Sequence, residues 1–229
     1  MTIEILQLLD GAKQANGLTV IIDVFRAFST ACYAFDYGAL KIIPVGDIDF
    51  SYRLKEGNPD FILIGERNEQ KPPGFDFGNS PSLLIREKIT GRTIIHTTSS
   101  GTQGIANAIN ADEIITGSFV NAGAIIRYIQ QQNPETVSLV CMGYACEYPT
   151  DEDTLCAEFI KNELEGIQNN FEKMGEKIRI GSGARFFDKN KQSWSPKKDF
   201  ELCLAINRFD FVLKVEKQGE LNYLRKINI

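Results

Sequence analysis

Short apolar, β-branched runs recur along this chain, and most break into a polar turn before a stretch with helical character begins. Residues 18–24 (LTVIIDV) give way to a segment at 25–37 free of proline and glycine, and Gly38 ends it before the run at 39–45 (ALKIIPV). Pro44 suits a strand end or an edge, because it has no N–H to give a ladder. Further strands are expected at 61–64, 93–96, 113–116 and 137–142, with helices at 121–131 and 154–162. Such alternation predicts an α/β fold of three layers, α/β/α, around a mostly parallel or mixed sheet. The tail differs: after a short helix in ELCLAIN, two strands around Gly219 predict a C-terminal hairpin. The chain reads as one α/β domain over 1–229, with room for two lobes, at about 1–90 and 91–229, sharing a cleft.

Composition narrows the partners. With 43% hydrophobic residues among 229, the chain can bury a substantial core. No apolar run approaches the roughly 20 residues that cross a bilayer, and the opening MTIEILQLLDGAKQ has no basic region ahead of a hydrophobic stretch. No membrane partner is expected. Five cysteines at irregular spacing suit reduced thiols, so the expected location is cytoplasmic. A net charge of −5 without a Lys/Arg-rich stripe speaks against nucleic acid, which is held through many cationic phosphate contacts. A small anion needs only two or three arginines and a few backbone amides.

Polar residues gather where the apolar runs end. Asp23 closes one run, where an unpartnered carboxylate is costly, and Arg26 follows within a turn. The pair reads either as a helix cap with its neighbour or as the centre of a site. HTTSSGTQG at 96–104 sets four consecutive hydroxyl residues and a glycine between a strand and a helix. It fits a phosphate cradle or a plain Ser/Thr cap. GSFVN at 117–121 repeats the theme, and donors of both turns converge if their strands share one parallel edge. The loop at 65–82, stiffened by Pro72, Pro73 and Pro81, either holds a ligand or is solvated. Glu152 and Asp153 open a helix and serve either its dipole or a hard cation; Mg²⁺ commonly takes one or two carboxylates plus substrate phosphate. His96 suits packing as well as acid–base work, and Cys141 lacks a CxxxxxR phosphate loop and reads as a core thiol. One histidine and no CxxC pair give no basis for zinc.

Taken in order, DVFRAFST, GER, GFDFGNSP, TTSSGT, GSFVN and DEDTLCAE resemble the motif series of the 2-phosphosulfolactate phosphatases over residues 23–158, and LAINRFDFV in the tail is similar too. The resemblance implies Mg²⁺-dependent hydrolysis of 2-phospho-3-sulfolactate to 3-sulfolactate and phosphate, associated with coenzyme M biosynthesis, by a homodimer. Carried onto this sequence, it implies Asp23, Arg26, Glu66 and Asp76 as catalytic residues and Asp23, Glu152 and Asp153 as metal ligands. It implies substrate contacts from Arg67, Asn79, Ser80, Thr98, Ser99, Gly101, Thr102, Ser118 and Asn121. The step NEQKPPG after GER and Ser100, where asparagine is expected, depart from the pattern. On this reading Arg26 and Arg67 clamp the anions and Glu66 or Asp76 is the base. Direct attack by water and a covalent Asp23 intermediate stay open. So do a phosphatase for another small 2-phospho acid and a non-catalytic anion-binding module.

Overall fold

The alternation becomes the expected strands and helices, with several more. In the computed structural model, which describes residues 1–229, the chain begins β1 (Thr2–Gln7), α1 (Leu8–Gln14), β2 (Gly17–Ile22), α2 (Ala27–Asp36) and β3 (Lys41–Pro44). It continues α3 (Ile48–Gly57), β4 (Ile62–Gly65), α4 (Arg86–Ile89), β5 (Thr93–Thr97), α5 (Gly101–Asn107) and β6 (Ala111–Gly117). Then come α6 (Ala122–Gln132), β7 (Thr136–Cys141), α7 (Asp151–Glu165), α8 (Phe171–Ile180) and a 3-10 turn at Ser182–Phe187. The chain closes with α9 (Lys197–Cys203), β8 (Phe211–Gln218) and β9 (Leu221–Asn228). Pro44 is the last residue of β3, where its missing N–H interrupts no ladder. No helix is long and apolar enough to cross a membrane.

The nine strands form one sheet in the order β1-β7-β2-β6-β8-β9-β3-β5-β4. β1, β7, β2 and β6 make one parallel block, and β3, β5 and β4 another. The hairpin joins them, with β8 antiparallel to β6 and β9 antiparallel to β3. Three antiparallel junctions in succession make the blocks run in opposite senses. The joints are short: Ile115–Lys214 and Thr116–Leu213 on one side, Ile42–Leu224 on the other. At about 20–25° of twist per strand, the five steps from β2 to β5 turn the sheet by roughly 100–125°. Opposed strands so rotated cross instead of pointing apart, and residues just beyond β2, β7, β4 and β5 line a single cleft.

Side chains alternate across the sheet as the pleat demands. Leu18, Val20 and Ile22 of β2 pack toward α6 and α7, while Ile21 faces α1, α2 and α5. The core on that second face holds 27 residues drawn from both blocks and the hairpin, so the blocks share their interior. A cluster of 22 lies under α6 and α7, and a smaller one of five lies on the outer face of the second block. Helices therefore flank a mixed sheet on both sides, the three-layer α/β/α arrangement with a C-terminal hairpin that the alternation predicts.

Candidate active site

β2 delivers Asp23 to the end of its strand just before α2, where the residue is 4% exposed. Its Oδ1 accepts the Ala27 N–H at 3.0 Å, so Asp23 does cap α2. Its Oδ2 accepts the Gly101 N–H at 2.8 Å at the start of α5, so the same carboxylate ties the two blocks together. Glycine is required at 101: a Cβ there would meet the Ala27 Cβ at 2.8 Å and Asp23 Oδ2 at 2.9 Å. Burial pushes the Asp23 pKa up to about 7; the Ala27 amide opposes the rise and the charges of Glu66 and Glu152 add to it.

Three more carboxylates stand close by. Glu66, just past β4, accepts the Ser99 N–H at 2.6 Å, the Ser99 hydroxyl at 3.2 Å and the Glu69 N–H at 3.0 Å. Asp153, in the first turn of α7, accepts the Val24 N–H at 2.8 Å and the Gly143 N–H at 2.9 Å, pinning the ends of β2 and β7 to that helix. Glu152 accepts the Ser182 hydroxyl. Burial raises the pKa of both; Glu152 and Asp23 raise Asp153 further, and Arg185 holds Glu152 down. Buried acid in excess, offering only oxygen, is the chemistry of a hard-cation site. No three His, Cys, Asp or Glu side chains group closely enough to hold an ion alone. Waters and a substrate phosphate would have to complete the shell, as is common for Mg²⁺.

Two arginines line the cleft. Arg26 spends Nη1 on Asp199 Oδ2 at 2.6 Å and the Trp194 carbonyl at 2.7 Å, an ion pair almost fully buried at both ends. Asp199 Oδ1 accepts the Ser82 N–H at 3.0 Å, so both oxygens of that carboxylate are engaged. Arg185 pairs with Glu69 Oε1 at 3.1 Å and donates to the Phe25 carbonyl at 3.1 Å. Its guanidinium lies over the rings of Phe186, Tyr144 and Phe25. About 40 Å³ of the cleft is open between these walls.

The family model of 2-phosphosulpholactate phosphatase matches residues 4–218. The chain belongs to that family. A relative from Thermotoga petrophila, named probable 2-phosphosulfolactate phosphatase, is 41% identical over 204 residues, 84% of this chain and 86% of its own length. Two more with the same name come from Caldanaerobacter subterraneus, 32% identical over 218 residues and 89% of each chain, and Bacillus subtilis, 31% identical over 217 residues, 93% of this chain and 92% of the relative.

In this member of the 2-phosphosulpholactate phosphatase family, Asp23, Arg26, Glu66, Asn79 and Ser99 line the cleft. Gly101 abuts Asp23, while Glu152 and Asp153 lie behind it and Asp153 serves as a backbone anchor. The remaining expected residues are engaged elsewhere. Arg67, expected as a clamp, donates to the Glu66 and Gly46 carbonyls and to Thr97 Oγ1, sewing together the ends of β4, β3 and β5. Asp76, expected as a base, accepts the Leu63 N–H at 2.8 Å and faces Lys55 at 3.7 Å. Ser80 Oγ lies 3.4 Å from Ser82 Oγ. Thr98 and Thr102 satisfy each other across the α5 turn. Ser118 and Asn121 form a buried capping box, with Ser29 on the Ser118 hydroxyl at 2.7 Å. β5 and β6 belong to opposite blocks, so the two hydroxyl turns do not share an edge. His96 is packed: burial pushes its pKa down to about 4, and Nε2 meets Asn79 Oδ1 at 3.2 Å. Cys141 donates to the Asp153 carbonyl as a core thiol.

Sequence reasoning missed Arg185, Glu69 and Asp199. Arg185 and Asp199 follow the last strand–helix repeat, in a stretch with no apolar run to draw attention. The one local signal was GSGARFF, where small residues and aromatics flank a single arginine.

Proposed function

We propose that this chain hydrolyses the phosphate ester of 2-phospho-3-sulfolactate in the presence of Mg²⁺, releasing 3-sulfolactate and phosphate. The observation that carries the reading is a cation site beside an anion site in one cleft: Asp23 and Glu66 with Arg26 and Arg185. The family to which the chain belongs supports the same substrate.

An all-oxygen, acid-rich donor set fits Mg²⁺, which Asp23 would hold with the charge of Glu152 and Asp153 behind it. Bound there, the ion supplies Lewis acidity and a water of lowered pKa. Arg26, oriented by Asp199, keeps Nε and Nη2 free of protein partners for phosphoryl oxygens. Glu66 is the cleft carboxylate that takes a proton from the attacking water, since Asp76 is engaged outside the cleft. Both Asp23 oxygens hold backbone amides, which favours water over Asp23 as the nucleophile. Phe25 and Tyr144 supply the aromatic part of the cleft wall.

The test is phosphate release from 2-phospho-3-sulfolactate by purified protein, lost on chelation and restored by Mg²⁺. Binding of the compound by calorimetry without phosphate release would make the protein an anion-binding module. The reading includes a homodimer, checked by light scattering, and a reducing, cytoplasmic compartment, supported by five unpaired cysteines of which four are buried.

A further inference from the structure

Arg26 and Arg185 are the only cations lining the cleft, and they are held differently. Asp199, outside the cleft lining, fixes Arg26. The partner of Arg185 is Glu69, itself a cleft residue and 116 positions away in sequence. Both ends of that pair are little exposed, at 15% and 14%, and Glu69 Oε2 also accepts the Ser195 hydroxyl at 3.4 Å. The rings of Phe186, Tyr144 and Phe25, with centroids 5.2, 5.7 and 5.9 Å from the guanidinium carbon, pack around Arg185. A guanidinium so packed and facing a cleft offers its fork of donors to a group with two oxygens side by side, and a carboxylate already sits there.

The substrate of the proposed reaction carries a phosphate, a carboxylate and a sulfonate; with Arg26 and the proposed Mg²⁺ on the phosphate, Arg185 is the remaining cation of the cleft for a further anionic group. The open space of about 40 Å³ is also far below the ~300 Å³ at which ligand pockets begin. Because both residues line the cleft, parting the Arg185–Glu69 pair would widen it and free a cation in one movement. We propose that Arg185 reads the sulfonate of the substrate, and that Glu69 occupies its guanidinium until that sulfonate arrives. The inference rests on the proposed hydrolysis of 2-phospho-3-sulfolactate. It assigns that site's specificity to a segment outside the six motifs.

The experiment compares kcat/KM for 2-phospho-3-sulfolactate and for 2-phospholactate, which keeps the phosphate and carboxylate but has no sulfonate. Arg185→Gln lowers the preference for the sulfonate compound by about 10- to 100-fold, the range for losing hydrogen bonds to a charged group, and acts chiefly through KM. Arg185→Lys, which keeps the charge without the fork, retains part of the preference. Glu69→Gln lowers KM for the sulfonate compound, and that gain vanishes when Arg185→Gln is added. Thermal melts accompany each variant. An Arg185 with a merely structural role would cut turnover of both compounds alike, and that result overturns the inference. So does a wild-type preference that survives in both Arg185 variants, while hydrolysis itself still stands. Wild-type protein that releases phosphate from neither compound overturns the proposed function and this inference together.

Discussion

The two strand blocks are built alike, with short strands ending in polar turns that lead into helices, yet their ends hold charge in different ways. Around β3, β5 and β4 the polar groups largely satisfy one another: Arg67 bridges three strand ends, and Thr98 and Thr102 cap each other. Around β2 and β7 the same kind of position carries Asp23, Glu152 and Asp153, which form no close ion pair and are held by neutral amides and hydroxyls. Amide donors favour the ionised form of a carboxylate, but here burial outweighs them and the pKa of all three rises. A hydrogen-bonded charge is therefore not a neutralised one. The β2 and β7 ends bring to the cleft a buried negative charge that a cation would answer, while the other block adds Glu66 and Glu69, each held by partners of its own, Ser99 and Arg185.

The sharpest way to break that contrast is Asp23→Asn. Turnover should fall by about 10²- to 10³-fold, the range for removing one preorganised electrostatic group, measured as phosphate release at saturating substrate. The melting temperature at pH 8 should hold or rise, because a buried charge has gone while one amide contact is kept. A fully active variant would reduce Asp23 to a helix cap. Next comes Asp199→Ala, which strands the buried Arg26 and should cost about 3 kcal/mol in denaturant unfolding and also lower kcat/KM. Unchanged stability would mean that Arg26 finds another partner and that Asp199 does not orient it.

The contrast also predicts pH dependences of opposite sign. In the first block Asp23 is raised from 3.8 to about 7, so its contribution is fully present in acid and is lost as pH rises between about 4 and 7. In the second, His96 is lowered from 6.5 to about 4, so its contribution is present above 6.5 and is lost as pH falls toward 4. Metal-free protein should therefore lose only about 1 kcal/mol of stability toward pH 8, because the His96 contribution offsets most of the Asp23 loss. Asp23→Asn should flatten that side of the curve. Mg²⁺ should raise the melting temperature more at pH 8 than at pH 5, since ligating carboxylates must be ionised. A larger Mg²⁺ effect at pH 5, read by fluorimetry with and without chelator, would sink the assignment of the ion to these acids.

How much of this was legible in the sequence follows the same division. Strand runs that are buried on both faces, such as LTVII, announce themselves, and so does the hairpin around Gly219. β1 escaped because it is half exposed and passes into α1 through Leu8 at φ 62°, a left-handed bend with no glycine or proline to mark it. Asp23 and Glu66 could be read as strand-end carboxylates. The reversal of the second block could not, because it depends on a hairpin whose strands begin at 211 and yet sit in the middle of the sheet. Nor could the hold of Asp199 on Arg26, which spans 173 positions. Hydroxyl turns look the same in sequence whether they face a ligand or cap a helix; only the full account of their partners separates them.

Two serines that look alike in sequence give the smallest effect and the finest test. Ser99 and Ser118 each follow a strand and precede a helix, one in each block. Ser99 lines the cleft and gives both its N–H and its hydroxyl to Glu66. Ser118 is wholly buried, boxed with Asn121 and bonded to Ser29. Ser118→Ala should thus cost about 1 kcal/mol of stability, the usual loss for a helix cap, with kcat/KM within about twofold of wild type. Ser99→Ala should do the reverse, lowering kcat several-fold through a less firmly held Glu66 while leaving the melting temperature nearly unchanged, because the backbone N–H bond survives. If Ser118→Ala instead cut kcat/KM at unchanged stability, the turn after β6 would be part of the site after all. Position at a strand end would then outrank hydrogen-bond accounting as the guide to which polar turns in this fold bind ligand.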